Sequence, residues 1–157
     1  MKLLKIISSL LLILLVPSCK KTHSKSEIEA ALQRYNTTMM NGNGNDIASL
    51  FTPDGETEFA QGRTWIKRVN GGDRARSSVP HCTQIMTSRS IDIIADSAYQ
   101  TGTFHCTYPQ LEWGSPDSVG VHGDFKIYWI WYKKYGWLIK KYKSQFTTDK
   151  PLKGFDY

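Results

Sequence analysis

The chain has 157 residues, 40% of them hydrophobic, which suits one globular domain with an ordinary core. Its formal net charge is +6, but five of the 20 lysines and arginines precede residue 26, leaving 15 basic against 14 acidic residues in the remainder. A nearly neutral domain lacks the concentrated basic surface of nucleic-acid-binding proteins, so we predict no nucleic-acid partner.

Residues 1–18 have the pattern of a secretory leader. A short basic start precedes an apolar run from Ile6 to Val16, which is shorter than the roughly 20 residues of a membrane-spanning helix. The junction Val16-Pro17-Ser18-Cys19 resembles a bacterial lipobox. The resemblance implies that residues 1–18 are a lipoprotein signal peptide and that Cys19 carries the lipid. An ordinary secretory signal, cleaved near a cysteine by chance, is the alternative.

The residues after Cys19 predict where such a lipoprotein would reside. Lys20, rather than an acidic residue, follows the cysteine. By analogy with bacterial lipoprotein sorting, this predicts a protein anchored in the outer membrane and facing the periplasm. Residues 19–26 are predicted to be a polar tether, so the membrane would be contacted through the lipid anchor only.

Residues 27–148 are predicted to form the folded domain, with a C-terminal tail at 149–157. The first helix is expected to start at an N-cap formed by Ser26, with Glu29 three residues later. A second short helix is expected over 47–51 and a third over 62–69, with a short strand at 56–60 between them. Strands are predicted over 83–94 and 98–108, around a turn at Ala95-Asp96.

The stretch from Asp124 to Ser144 is predicted to be the hairpin around which the domain packs. Its aromatic and β-branched residues alternate so that Phe125, Ile127, Trp129 and Trp131 share one face. Burial in the second arm is expected to concentrate in its first three residues, which begin with Trp137. The opposite face is also largely apolar, so we predict a homodimer formed through it.

Three fragments of the sequence resemble the nuclear-transport-factor-two-like superfamily, in particular its SnoaL-like members. They are Asp46–Asp54, which ends in a proline-aspartate turn, Asp92–Gly102, and the segment Gly136–Ile139. The resemblance implies an α+β fold in which a strongly curved antiparallel sheet wraps around two or three N-terminal helices, forming a cone with an internal pocket. It does not imply an activity, because this fold supports many functions.

Three functions remain open at this point. The first is a non-catalytic domain that binds a small, mostly apolar molecule. The second is an enzyme of the isomerase or dehydratase type that uses an aspartate or a histidine as general base. The third is a structural homodimerisation domain whose pocket is filled by its own side chains.

Asp54 is the candidate catalytic residue, because it matches the aspartate that abstracts a proton in steroid-isomerase-like members. A buried carboxyl beside aromatic rings would have a raised pKa, as a general base requires. The sequence Pro53-Asp54-Gly55 is also typical of a plain turn. Six residues are candidates for lining an apolar pocket: Tyr35, Trp65, His105, Tyr108, Trp129 and Trp131.

The sequence indicates no metal site and no cofactor. Histidine and cysteine occur as the adjacent pairs His81-Cys82 and His105-Cys106, whose side chains point apart on a strand. Counting from the turn at 95–96 places Cys106 opposite Ile85, which leaves Cys82 badly placed for a disulfide. Two buried thiols are therefore favoured over a disulfide.

Overall fold

The computed structural model describes residues 22–72, 83–109 and 118–149. The leader, Cys19, Cys82 and most of the C-terminal tail lie outside these residues. The elements in chain order are α1 (Lys25–Asn41), α2 (Gly44–Ser49), β1 (Phe51–Glu56), α3 (Arg63–Val69), β2 (Thr83–Ile94), β3 (Ser97–Pro109), β4 (Ser118–Tyr132) and β5 (Gly136–Thr148). None of the described helices is long and apolar enough to cross a membrane.

The predicted α+β architecture, a strongly curved sheet with the helices against it, is confirmed. Five strands form one sheet in the order β1-β5-β4-β3-β2. The strands β2 to β5 are antiparallel neighbours, whereas β1 runs parallel to β5, pairing Phe51 with Ile139. The sheet is therefore mixed rather than wholly antiparallel. The strand predicted over 56–60 lies earlier, at 51–56, because the backbone pairs with β5 directly after α2 ends.

The hydrophobic core lies between α1, α2 and the inner face of the sheet. Helix α1 contributes Ile28, Leu32 and Tyr35, which recur at helical spacing and are buried. The predicted inner face of β4 is confirmed, since Phe125, Ile127 and Trp129 are buried and Trp131 packs against the same core. The three residues that follow Gly136 in β5, Trp137 to Ile139, are also buried, as predicted for the start of the second arm.

Two β-bulges change the register expected from plain alternation. In β5 the extra residue is Lys140, because Trp129 pairs with Ile139 and Tyr128 with Lys141. Tyr142 is thereby brought opposite Ile127, where it packs against the core rather than sharing the face of Leu138.

The second bulge lies in β2 at Arg89, and it affects Cys106. The predicted turn is confirmed, since Ile94 pairs with Ser97, but beyond Arg89 the register shifts by one residue. Cys106 therefore lies opposite Gln84 instead of Ile85. Its buried thiol lies 3.7 Å from Oε1 of Gln84. Because Cys82 lies outside the described residues, the state of the cysteine pair stays a prediction.

The first two helices begin earlier than the sequence predicted. Helix α1 starts at Lys25 with Ser24 as its N-cap, two residues before the predicted cap. Helix α2 starts at Gly44, where the side chain of Asn43 accepts hydrogen bonds from two backbone amides and Asp46 bonds back to Asn43. Residue 23, assigned above to the polar tether, is buried in the fold.

Candidate functional site

Asp54, the candidate general base, lies on the surface of β1. Its side chain is 69% exposed, and its Oδ2 lies 2.5 Å from Nζ of Lys140. The hydroxyl of Thr52 donates a second hydrogen bond, of 2.9 Å, to Oδ1. The bulge at Lys140 is in the strand paired with β1, which explains why this lysine reaches Asp54.

The pKa of Asp54 is shifted in the direction opposite to that of a general base in an apolar pocket. The hydrogen bond from Lys140 is the largest cause and holds the pKa below its ordinary value, with Thr52 adding to the effect. The same pair raises the pKa of Lys140. A carboxylate stabilised in its charged form is a weak proton acceptor. The expected burial and raised pKa are thus not found at this residue.

Two of the candidate pocket residues lie in the core. Tyr35 of α1 is buried with its ring 6.4 Å from that of Phe51 and 5.8 Å from that of Tyr142. Trp129 is also buried, and its indole N–H donates to Gln100 at 2.9 Å. From Gln100 a chain of hydrogen bonds runs to Ser88 and then to Glu29 on α1. These residues fill the space between helix and sheet.

Two further candidates, Trp65 and His105, are exposed on different elements. Trp65 is 55% exposed on α3, with the guanidinium of Arg68 5.2 Å from its ring centroid. His105 is exposed on the outer face of β3, opposite His122. Tyr108 belongs to β3, but its side chain is outside the described part of the structure. The candidates whose side chains are described therefore do not form one shared site.

Trp131 takes part in an arrangement that the sequence did not reveal. Its ring lies 4.6 Å from that of His23, and the ring of Trp137 lies 4.8 Å from the same histidine. Nδ1 of His23 is 2.8 Å from Oε2 of Glu27, and Nε2 is 3.2 Å from Oδ1 of Asp96. A histidine in a polar stretch gives no periodic signal, which is why sequence patterns could not identify it.

An open hollow of about 460 Å³ lies near the end of the sheet remote from the turns at 95–96 and 133–135. In its wall Gly123 of β4 pairs with Phe104 on one side and with Phe146 on the other. Cross-strand neighbours share a face, so two phenyl rings flank a residue that has no side chain. A side chain at 123 would overlap the carbonyl oxygen of Gln145. We call the hollow between Phe104 and Phe146 the aromatic slot.

Polar residues of three strands border the hollow at the positions between the aromatic ones, namely Thr103, His122, Asp124, Gln145 and Thr147. Because side chains alternate along a strand, theirs belong to the outer face, which they share with His105. His122 lies within hydrogen-bonding distance of the Thr147 hydroxyl, at 3.0 Å, and Asp124 forms an ion pair of 3.2 Å with Arg89. Only the strand register shows which residues of β3 and β5 lie beside His122 and Asp124.

A second hollow, of about 440 Å³, lies beside the junction of α1 and α2. Its lining is largely polar, and comprises Arg34, Thr37, Thr38, Asn41, Gly42, Asp46, Ser49 and Leu50. Among the described residues, no group of three or more histidine, cysteine, aspartate or glutamate side chains is placed to hold a metal ion.

Comparison with known proteins gives similarity in structure only. No protein-family model and no curated protein matches the chain. Among solved structures, a candidate scytalone dehydratase from Novosphingobium aromaticivorans DSM 12444 superposes with a TM-score of 0.68 at 16% identity, covering 80% of this chain and 86% of that one.

Two further structures match over a similar extent. One is a nuclear transport factor 2-like superfamily protein from Salmonella enterica serovar Typhimurium LT2, with a TM-score of 0.63 and 15% identity, covering 83% of this chain and 96% of that chain. The other is a ketosteroid isomerase-like protein from Erwinia carotovora atroseptica SCRI1043, with a TM-score of 0.58 and 14% identity, covering 80% and 96%. At these identities the likeness establishes the fold alone.

Proposed function

Because this chain has the nuclear-transport-factor-2-like fold, we propose that it is a non-catalytic binding domain, anchored by a lipid on Cys19 to the periplasmic face of a bacterial outer membrane. Its ligand is a small, mostly apolar molecule with a flat ring, held in the aromatic slot. No resident cofactor is part of the proposal.

The aromatic slot is the observation that carries this proposal. Its volume of about 460 Å³ falls in the range of small-molecule sites, which are typically about 300–1,000 Å³. Phe146 is 49% exposed, which leaves apolar area for a ligand ring to cover.

The position of Asp54 favours binding over catalysis. An isomerase or dehydratase requires a base whose pKa suits proton abstraction, in contact with a shielded substrate. Asp54 is exposed and paired with Lys140, and its pKa is below the ordinary value. The enzyme names carried by two of the similar structures therefore support a shared fold in this chain without supporting their reactions.

The outer face of the sheet supports a homodimer as the second part of the proposal. It carries exposed apolar and aromatic side chains, among them Ile85 and Tyr99. The ring of Tyr99 stacks on that of Tyr128 at 4.5 Å with an interplanar angle of 18°, which makes a flat aromatic surface. A second copy would cover this aromatic pair, because exposed apolar area of this kind favours association.

Binding in the aromatic slot can be tested with the fluorescent probe 1-anilinonaphthalene-8-sulfonate. We expect Phe146→Ser to weaken probe binding about tenfold. The substitution removes one wall of the slot, and with it most of the binding free energy gained when the probe covers the phenyl ring. Tyr135→Ser is the matched control, because Tyr135 is an equally exposed aromatic residue at the opposite end of β5. Asp54→Asn should leave binding unchanged. Equal probe affinity in all variants would contradict the proposal that the ligand binds in the aromatic slot.

The anchor requires a separate test. Cells grown with a radiolabelled fatty acid should incorporate the label into the wild-type chain and not into a Cys19→Ala variant. The wild type should also fractionate with outer membranes. A soluble, unlabelled wild-type protein would show that the leader is an ordinary secretory signal.

A further inference from the structure

We propose that the end of the domain formed by the two hairpin turns lies against the bilayer and contacts anionic phospholipid headgroups. The contact surface, called the hairpin-tip surface, consists of Ile94 and Ala95 from the β2–β3 turn and Tyr132, Lys133, Lys134 and Tyr135 from the β4–β5 turn. This inference rests on the proposed lipid anchor and adds to it an orientation and a second membrane contact.

The two turns form one continuous end of the molecule. The backbone amide of Trp131 donates a 2.8 Å hydrogen bond to the carbonyl oxygen of Asp96, directly before the β4–β5 turn. Ser97 also pairs with Ile130, which holds the start of β3 beside the end of β4. The tips therefore lie side by side, with no shift of backbone needed to bring them together.

The chain enters the fold at this same end. His23 is buried, with its side chain only 1% exposed. It is bonded to Asp96 in one turn and packed on Trp131 and Trp137, which flank the other. The folded domain thus begins at the hairpin-tip surface and not at the opposite end, where the aromatic slot lies.

The distance from the lipid to the fold is short. Only Lys20, Lys21 and Thr22 separate Cys19 from His23. Since each residue spans at most about 3.6 Å, the anchored cysteine can lie no more than about 14 Å from His23, whatever conformation these residues adopt. A tether of that length keeps the hairpin-tip surface at the level of the headgroups.

The side chains of the surface suit that position. Tyr135 is 53% exposed and Ile94 65% exposed, and neither is covered by another described element. Tyrosine is enriched at membrane interfaces, where its ring meets the apolar region and its hydroxyl meets water. Lys133 and Lys134 are exposed as well, and Nζ of Lys134 lies 5.1 Å from the Tyr135 ring centroid. Two adjacent cations complement an anionic lipid surface.

Acidic groups also lie near this end. Asp96 and Glu27 each lie within hydrogen-bonding distance of a ring nitrogen of His23, and Glu27 also accepts from the indole of Trp137. Asp92 lies on the outer face of β2, opposite Tyr99 and two residues back from Ile94. The orientation also places the aromatic slot away from the membrane, because Gly123 is eight residues along β4 from Trp131, or about 26 Å in an extended strand.

Lysine footprinting of the lipidated full chain tests the inference. The protein is purified in detergent, or reconstituted into vesicles of phosphatidylcholine with a minority of phosphatidylglycerol, and its lysines are acetylated and quantified by mass spectrometry. We expect vesicles to slow acetylation of Lys133 and Lys134 at least fivefold relative to detergent. Lys126 and Lys143, which pair with each other on the outer sheet face, are the internal controls and should change less than twofold.

The vesicle composition and a variant sharpen the outcome. Phosphatidylcholine alone should reduce the protection, and Tyr132→Ser with Tyr135→Ser should abolish most of it while the chain still floats with the vesicles. Flotation without selective protection of Lys133 and Lys134 would overturn this inference and leave the anchor intact. Protection that is already present in detergent would overturn it too, since the bilayer would then not be what covers the tips. A chain that does not float would overturn both proposals.

Discussion

The indole Nε1 of Trp129 donates a hydrogen bond of 2.9 Å to Oε1 of Gln100, and both side chains are buried under α1. Gln100 in turn donates to Oγ of Ser88 at 2.7 Å, and Ser88 donates to a carboxylate oxygen of Glu29 at 2.8 Å. This chain of bonds satisfies the polar groups that enter the core and joins the helix to three strands.

Replacing Gln100 by leucine should destabilise the domain by about 1–3 kcal/mol, because the Trp129 N–H would be left buried without an acceptor. Urea unfolding measures the loss. The matched control is Gln145→Leu, which changes the same atoms at an exposed position of β5 and should cost little. Equal stability of both variants would contradict a structural role for the chain of bonds.

Trp137→Ala should cost about 3–5 kcal/mol of unfolding free energy, as truncations of buried aromatic residues do. Trp137 is buried against His23 and Trp131, and its N–H points to Glu27. Trp65→Ala is the control, since Trp65 is exposed and surface changes typically cost about 0.5 kcal/mol or less. Chemical denaturation of the two variants compares them directly. If both lost the same amount, the hairpin would not be the organising part of the core.

Tyr99→Glu should convert the proposed dimer to a monomer. The substitution places a charge in the aromatic pair of the outer face and removes the stack on Tyr128. Sedimentation velocity distinguishes the two states. Thr64→Glu, which adds the same charge on the exposed side of α3, should leave the dimer unchanged. A wild-type protein that sediments as a monomer at high concentration would rule out this use of the outer face.

Lys140→Met should raise the pKa of Asp54 towards its ordinary value of 3.8. Because the pKa of Asp54 is lower in the folded state than in the unfolded state, the ion pair contributes its full stability above about pH 3.8. That stability is lost as the pH falls through the lower, folded-state pKa of Asp54. Wild type and variant should therefore converge in stability in strong acid. Carboxyl ¹³C NMR titration measures the pKa. Lys126→Met is the control and should leave the pKa of Asp54 unchanged. If Asp54 had the same pKa in Lys140→Met as in the wild type, the ion pair with Lys140 would not be the cause of the lowered pKa.

Much of the sheet was predictable because alternation and turn chemistry are local. The strand Thr83–Ile94, the turn at Ala95-Asp96 and the buried face of Phe125, Ile127 and Trp129 follow from residue types that suit a pleated, half-buried surface. The resemblance of three short fragments to one superfamily then indicated the correct fold.

The candidate site was harder to predict from the sequence, because the register between strands decides which residues lie side by side. The bulges at Arg89 and Lys140 each shift one strand by a residue, and no local pattern marked either of them. One bulge moves Tyr142 to the core side of the sheet, and the other moves Cys106 opposite Gln84. Which residues flank Gly123 follows from this register and not from spacing along the chain.

By itself the sequence determined the elements whose signals repeat along the chain, which are the apolar stripe of α1 and the alternation of β2 to β4. The leader that ends at Cys19 stays a prediction. Only the tertiary structure decided that Asp54 meets Lys140, that Phe104 and Phe146 flank Gly123 on neighbouring strands, and that His23 is buried. The physical reason is that each of these contacts joins residues far apart in sequence. Such contacts are chosen by the packing of the whole sheet and leave no periodic trace in any one segment.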